Sequence, residues 1–164
     1  MNNKITKQEI TNIQKSWGDA IVKIGDLYLK NEAYKAEARE QIKKLYAYNL
    51  GLVLFKPTMA TQRQFRVTKE GALSYFIGNN ENYPEDKGFA INPWTSIRWE
   101  NAGIKIEGCI AIVMGNYFFT PLDGDELKVE YTMGYQKDEN GDLQIILHDS
   151  HLPYSDVAPC GENT

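Results

Sequence analysis

The chain is predicted to be an α+β domain, with a curved antiparallel sheet wrapped around a long N-terminal helix. Three observations lead there. Apolar residues recur at three-and-four spacing through the first third of the chain. They alternate with polar residues over most of the last third. The 164 residues suffice for one domain and are too few for two comfortable ones. Helices first and strands after, joined by short turns, form the α+β pattern.

Thr6-Lys7-Gln8-Glu9 has the form of a capping box, in which the Thr hydroxyl and Glu carboxylate satisfy orphan amides at a helix start. Ile10, Ile13, Trp17, Ala20, Ile21, Ile24, Leu27 and Tyr28 then predict one buried face of a helix running to about Lys30. A second helix is expected from about Ala33, with Tyr34, Ala38, Ile42, Leu45 and Tyr46 inward, ending near Gly51. Leu52 to Phe55 reads as a short strand that Pro57 must end or confine to an edge. Thr68 to Gly71 opens a short third helix carrying Ala72, Leu73, Tyr75 and Phe76, and a polar loop covers Gly78 to Gly88. Strands are expected over Trp94 to Trp99 and Ile104 to Thr120. A half-buried strand follows from Leu127 to Tyr135, and a last one from Leu143 to Ser150 beyond the Asn140-Gly141 turn signal. A helix embraced by such a sheet gives the cone known as cystatin-like or nuclear-transport-factor-like, whose mouth is where pockets form. The domain is expected over residues 1–154, with a polar tail over 155–164.

Bulk properties exclude several classes. A formal net charge of −4 with well-mixed signs argues against binding nucleic acid by phosphate neutralisation. The longest apolar run, Ile110 to Met114, is far short of a membrane span. The first six residues lack the apolar core of a secretory signal, so a cytoplasmic location is expected. Cys109 and Cys160 form no CxxC spacing and read as two free thiols.

Chemistry concentrates in Leu147-His148-Asp149-Ser150-His151-Leu152-Pro153-Tyr154, which holds both histidines of the chain. Period-two alternation puts His148 and Ser150 on one face with Gln144 and Ile146, and Asp149 on the other with Leu143 and Leu147. Alternation does not say which face lines the cone. A zinc site would need three protein ligands, whereas this segment offers two only if the strand bends at Asp149. No metal or other cofactor is therefore expected.

That segment resembles the signature of iota-class carbonic anhydrases, usually written His-His-Ser-Ser followed closely by Pro. Here Asp149 and His151 stand where His and Ser are usual. Phe55-Lys56-Pro57-Thr58 and Ser74-Tyr75-Phe76 also resemble that family, in the same order. The resemblance runs from the first helix to Tyr154 and is to the cyanobacterial, metal-free type. It implies a cone-shaped homodimer, a lyase that interconverts carbon dioxide and bicarbonate. It also implies a pocket lined by hydroxyl groups at positions matching Thr58, Tyr75 and Ser150, with His148 beside Ser150.

Hydroxyls can position water and hydrogen-bond the developing bicarbonate, but they are poor bases near neutral pH. His148 is the nearby side chain with a suitable unperturbed pKa, so it is the expected proton acceptor. Lys56 is a further candidate, as a positive charge for bicarbonate. Two rival readings share the cone. One is a non-catalytic oligomerisation hub like the association domain of calcium/calmodulin-dependent protein kinase II. The other is a ketosteroid-isomerase-like or SnoaL-like enzyme using Asp149 as its base.

Overall fold

The protein is described from a computed structural model covering residues 4–155. The expected tail, with Cys160, lies outside the described residues except for Ser155. The elements in chain order are α1 (Lys7–Leu29), α2 (Tyr34–Leu45), a 3-10 turn (Ala47–Asn49), β1 (Leu54–Lys56) and α3 (Lys69–Ile77). The long strands β2 (Trp94–Glu107), β3 (Ile110–Pro121), β4 (Leu127–Lys137) and β5 (Leu143–His151) follow.

Helix α1 begins at the capping box: Glu9 N–H donates to Thr6 Oγ1 at 3.2 Å, and Thr6 N–H donates to the Glu9 carboxylate at 2.8 Å. Its buried face is Ile10, Ile13, Trp17, Ala20, Ile21 and Ile24, as the periodicity predicts, and Leu27 and Tyr28 lie nearer solvent. The sheet curves over that face in the order β1-β5-β4-β3-β2.

Helix α2 stops at Leu45, short of the expected end near Gly51, because Tyr46 is extended and the separate 3-10 turn follows. Three expectations about the sheet change. The sheet is mixed rather than antiparallel, because β1 runs parallel to β5 with Phe55 opposite His148. A three-residue strand has too little pattern to reveal its partner's direction, and Pro57 ends it on the sheet edge. The region read as strands over Trp94 to Trp99 and Ile104 to Thr120 is instead a hairpin whose turn lies at Gly108 and exposed Cys109. The reason is a bulge between Asn101 and Gly103. Inward residues are Ile97 and Trp99 before it and Ile104 and Ile106 after it, so the odd-even phase flips within one strand. Gly115 faces this bulge. A Cβ there would run into the Glu100 carbonyl oxygen, so glycine is required by close backbone approach.

The third change is on β5. Its register against β4 slips between Gly134 and Tyr135, which pair with Leu147 and Ile145, leaving Ile146 as the extra residue. Ile145 therefore shares the inner face with His148 and Ser150, while Leu147 and Asp149 face out. Across the sheet one inner row reads Phe55, His148, Met133, Val113, Ile104. His148 thus sits in the middle of the core, above α1.

Candidate active site

Four elements bring hydroxyl groups to one point. The Pro57 turn that ends β1 presents Thr58. Strand β5 presents Ser150 two residues beyond His148, α3 presents Tyr75, and β3 presents Tyr117. Thr58 Oγ1 and Ser150 Oγ are hydrogen-bonded at 2.8 Å although 92 positions separate them. Tyr75 Oη accepts the Met59 N–H at 3.3 Å, and the hydroxyls of Thr58 and Ser150 face Tyr117 Oη. These four groups border a cavity of about 10 Å³ walled by Trp17, Phe55, Phe76 and Phe89. That is about the room one water-sized molecule needs. It adjoins a cavity of about 700 Å³ that shares Thr58, Tyr75 and Phe89 and forms its mouth. A groove of about 900 Å³ between α1 and β2 shares none of these hydroxyls.

His148 lies directly behind Ser150. Its ring is stacked on Phe55 at 4.9 Å between centroids, and Trp17 meets it edge-on at 5.6 Å. Both ring nitrogens have partners: Nδ1 is 2.8 Å from Tyr46 Oη and Nε2 is 3.1 Å from Tyr117 Oη. Among the described residues no carboxylate reaches it, and burial pushes its pKa down to about 3. This corrects the expectation that His148 accepts a proton near neutral pH. The imidazole stays neutral there, so it can pass on hydrogen-bond polarity but does not take the charge. Burial also pushes Tyr75 up to about 12, which keeps its phenol protonated and able to donate.

Lys56 requires a second correction. Next to inward Phe55 on a strand, it faces outward, and its ammonium donates to the Ser150 backbone carbonyl at 3.1 Å. It borders neither the small cavity nor its mouth, and it fastens β1 to the end of β5 instead. Asp149, the base of the isomerase-like reading, lies on the outer face opposite Lys56 and Thr132, away from both cavities. His151 is on the exposed side, 3.1 Å from Glu130. Among the described residues no three His, Cys, Asp or Glu side chains converge as a metal site would need.

The loops that carry Thr58 and flank Tyr75 are clasped together. Arg66, with no exposed side-chain surface, makes two 2.6 Å hydrogen bonds to Asp86 and donates to the Gly71 carbonyl at 2.9 Å. Ser74 of α3 donates to the same Asp86 carboxylate. One residue earlier, Glu85 accepts the backbone N–H groups of Thr61, Gln62 and Arg63.

Sequence reasoning missed Tyr117, which lies within the strand expected over Ile104 to Thr120. The ring is core, but its hydroxyl belongs to the site. The alternation of Ala111, Val113, Tyr117 and Phe119 gives its inward direction, and only the fold gives its partners.

The family model for metal-independent carbonic anhydrases matches residues 8–152. A metal-independent carbonic anhydrase from Nostoc sp. (strain PCC 7120 / SAG 25.82 / UTEX 2576) is 45% identical over 157 residues, covering 94% of this chain and 77% of the relative. The crystal structure of an iota-carbonic anhydrase from a cyanobacterium, complexed with bicarbonate, superposes with a TM-score of 0.92. It shares 42% identity and covers 94% of this chain and 96% of its own. At 14% identity and a TM-score of 0.56, covering 96% of both chains, a nuclear transport factor 2-like protein from Salmonella enterica serovar Typhimurium shows the fold alone.

Proposed function

Because the chain belongs to the metal-independent carbonic anhydrase family, we propose that carbon dioxide and water become bicarbonate and a proton where its hydroxyl-lined cavity meets the larger one at Thr58 and Tyr75. The protein is a carbonic anhydrase. The observation that carries the site assignment is the meeting of Thr58 and Ser150 at 2.8 Å in a cavity also bordered by Tyr75 and Tyr117.

The reaction needs three things: a water held against the carbon, donors for the oxygens that gain negative charge, and an exit for one proton. Thr58 and Ser150 are short, rotatable hydroxyls that both accept and donate, so they suit the attacking water. Tyr75, kept protonated by burial, suits the carbon dioxide oxygens as charge builds there. The water oxygen forms the new C–O bond, one C=O electron pair moves onto oxygen, and the lost proton passes to solvent water in the larger cavity. The apolar wall of Trp17, Phe55, Phe76 and Phe89 suits a small nonpolar gas and strengthens each hydrogen bond by excluding bulk water.

Stopped-flow carbon dioxide hydration on chelator-treated protein, with metal content measured alongside, tests this reading. Stripped protein should keep its turnover, while Thr58→Val and Ser150→Ala should each lower kcat/KM on the order of 10²-fold. Activity that disappears on stripping and returns with zinc or manganese overturns the reading, as do wild-type rates in both variants.

The homodimer is the finer part of the proposal. The outer sheet face carries Leu54, Leu147 and Ile112 in one row across β1, β5 and β3, with Met114 beside Ile112. Leu54, Ile112 and Met114 are about half exposed, and an apolar band of that kind marks an interaction surface.

A further inference from the structure

We propose that Trp17, Tyr46 and His148 form a one-way hydrogen-bond chain that holds His148 as its Nε2–H tautomer and makes Tyr117 an obligatory hydrogen-bond donor to a substrate oxygen. The inference rests on the hydroxyl cavity being where the substrate sits, and it adds a catalytic residue together with the groups that orient it.

The direction follows from counting protons. An indole N–H can only donate, and Trp17 Nε1 donates to Tyr46 Oη at 3.0 Å. Tyr46 has one hydroxyl proton, and its other polar neighbour among the described residues is His148 Nδ1 at 2.8 Å. Were Nδ1 protonated, Tyr46 Oη would receive two hydrogens and its own would have no acceptor in a fully buried place. Buried polar hydrogens are rarely left so. The Tyr46 proton therefore goes to Nδ1, and the neutral imidazole carries its own proton on Nε2. From there it donates to Tyr117 Oη at 3.1 Å. With that side of its oxygen occupied, Tyr117 turns its proton toward Thr58, Ser150 and whatever oxygen fills the cavity.

The surroundings keep the chain neutral. His148 is faced by Trp17 of α1, Tyr46 at the end of α2, Phe55 of β1, Tyr117 of β3 and Met133 of β4, none of them charged at neutral pH. Burial holds the imidazole uncharged and raises both phenols well above their ordinary range. A group that cannot lose its proton and already receives a hydrogen bond is a fixed donor. Such a donor stabilises charge growing on a carbon dioxide oxygen without reorganising during the reaction. Tyr117 is then a catalytic residue, whereas Trp17, Tyr46 and His148 are positioning residues.

Nitrogen-15 NMR of the imidazoles tests this directly on the intact protein. The chain holds two histidines, and a His151→Asn background leaves His148 alone in the spectrum. The expected signal is a single Nε2–H tautomer that does not titrate through neutral pH. Tyr46→Phe keeps the ring packed on Phe55 and Phe76 but removes the proton given to Nδ1. Its spectrum should show mixed tautomers, with kcat/KM between those of wild type and Tyr117→Phe. Tyr117→Phe should lower kcat/KM on the order of 10²-fold. An Nδ1–H tautomer, an imidazole titrating near neutrality, or an unmixed tautomer in Tyr46→Phe overturns the chain. Any of these alongside inactive Thr58→Val and Ser150→Ala leaves the cavity reading standing. Full activity in those two variants removes the cavity reading, whatever the tautomer.

Discussion

His148 carries a cost that other core residues do not. In the folded protein its pKa is pushed down to about 3 by burial, whereas in the unfolded chain it titrates near 6.5. Above pH 6.5 both states hold a neutral imidazole and no penalty exists. As pH falls from there toward 3, the unfolded chain binds a proton that the native state refuses, so stability declines. The slope approaches about 1.4 kcal/mol per pH unit in the middle of that window. Urea unfolding at several pH values should therefore show His148→Gln losing less stability toward acid than wild type. Equal slopes would mean that the buried imidazole accepts protons in the folded state. The same environment explains why the residue type misleads: a histidine's ordinary pKa suggests a shuttle, and only burial between two phenols shows otherwise.

Among the elements, α3 and the two loops that flank it depend on a feature with almost no sequence signal. Arg66 and Asp86 are twenty positions apart, one just before α3 and the other in the polar loop after it, yet both side chains are essentially inaccessible to solvent. Removing one partner of such a pair strands a charge in the interior, which costs about 3–5 kcal/mol. Asp86→Ala should lower the unfolding free energy by an amount of that order, read as a lower urea midpoint with the m-value unchanged, and the variant should be marginal, since whole domains retain only about 5–15 kcal/mol. A loss below about 1 kcal/mol would show that the arginine escapes to solvent and that the clasp does not hold Thr58 and Tyr75 in place. By contrast, the start of α1 was legible: Thr6 and Glu9 form the capping box that their spacing announces.

At the scale of the molecule, the curved sheet has two unlike faces. The inner one closes on α1 around the hydroxyl cavity. The outer one leaves Ile112 and Met114 exposed beside the His151–Glu130 pair of β5 and β4. In the proposed homodimer these apolar residues are covered by the second copy. Met114→Glu, which puts a charge where a neighbour must desolvate it, should shift sedimentation from dimer to monomer at micromolar concentration. A wild-type protein that sediments as a monomer, or a variant that remains dimeric, would remove this face from the assembly. The cavity is formed within one chain, so a monomeric variant should keep measurable hydration activity.

By itself, the amino-acid sequence determined the local order of this protein. It specified the helices with their main buried faces, the hairpin turn at Asn140-Gly141, the interruption of β1 at Pro57, and the segments bearing Thr58, Tyr75, His148 and Ser150. These follow from periodicity, capping and proline chemistry, which act over a few residues. Only the tertiary structure decided the parallel pairing of β1 with β5, the phase changes at the bulges, the outward turn of Lys56 and the place of Tyr117 and Tyr46 around His148. One extra residue in a strand reverses which side faces the core, and a side chain's pKa and hydrogen-bond partners are supplied by groups up to a hundred positions away. Such information has no local pattern to carry it.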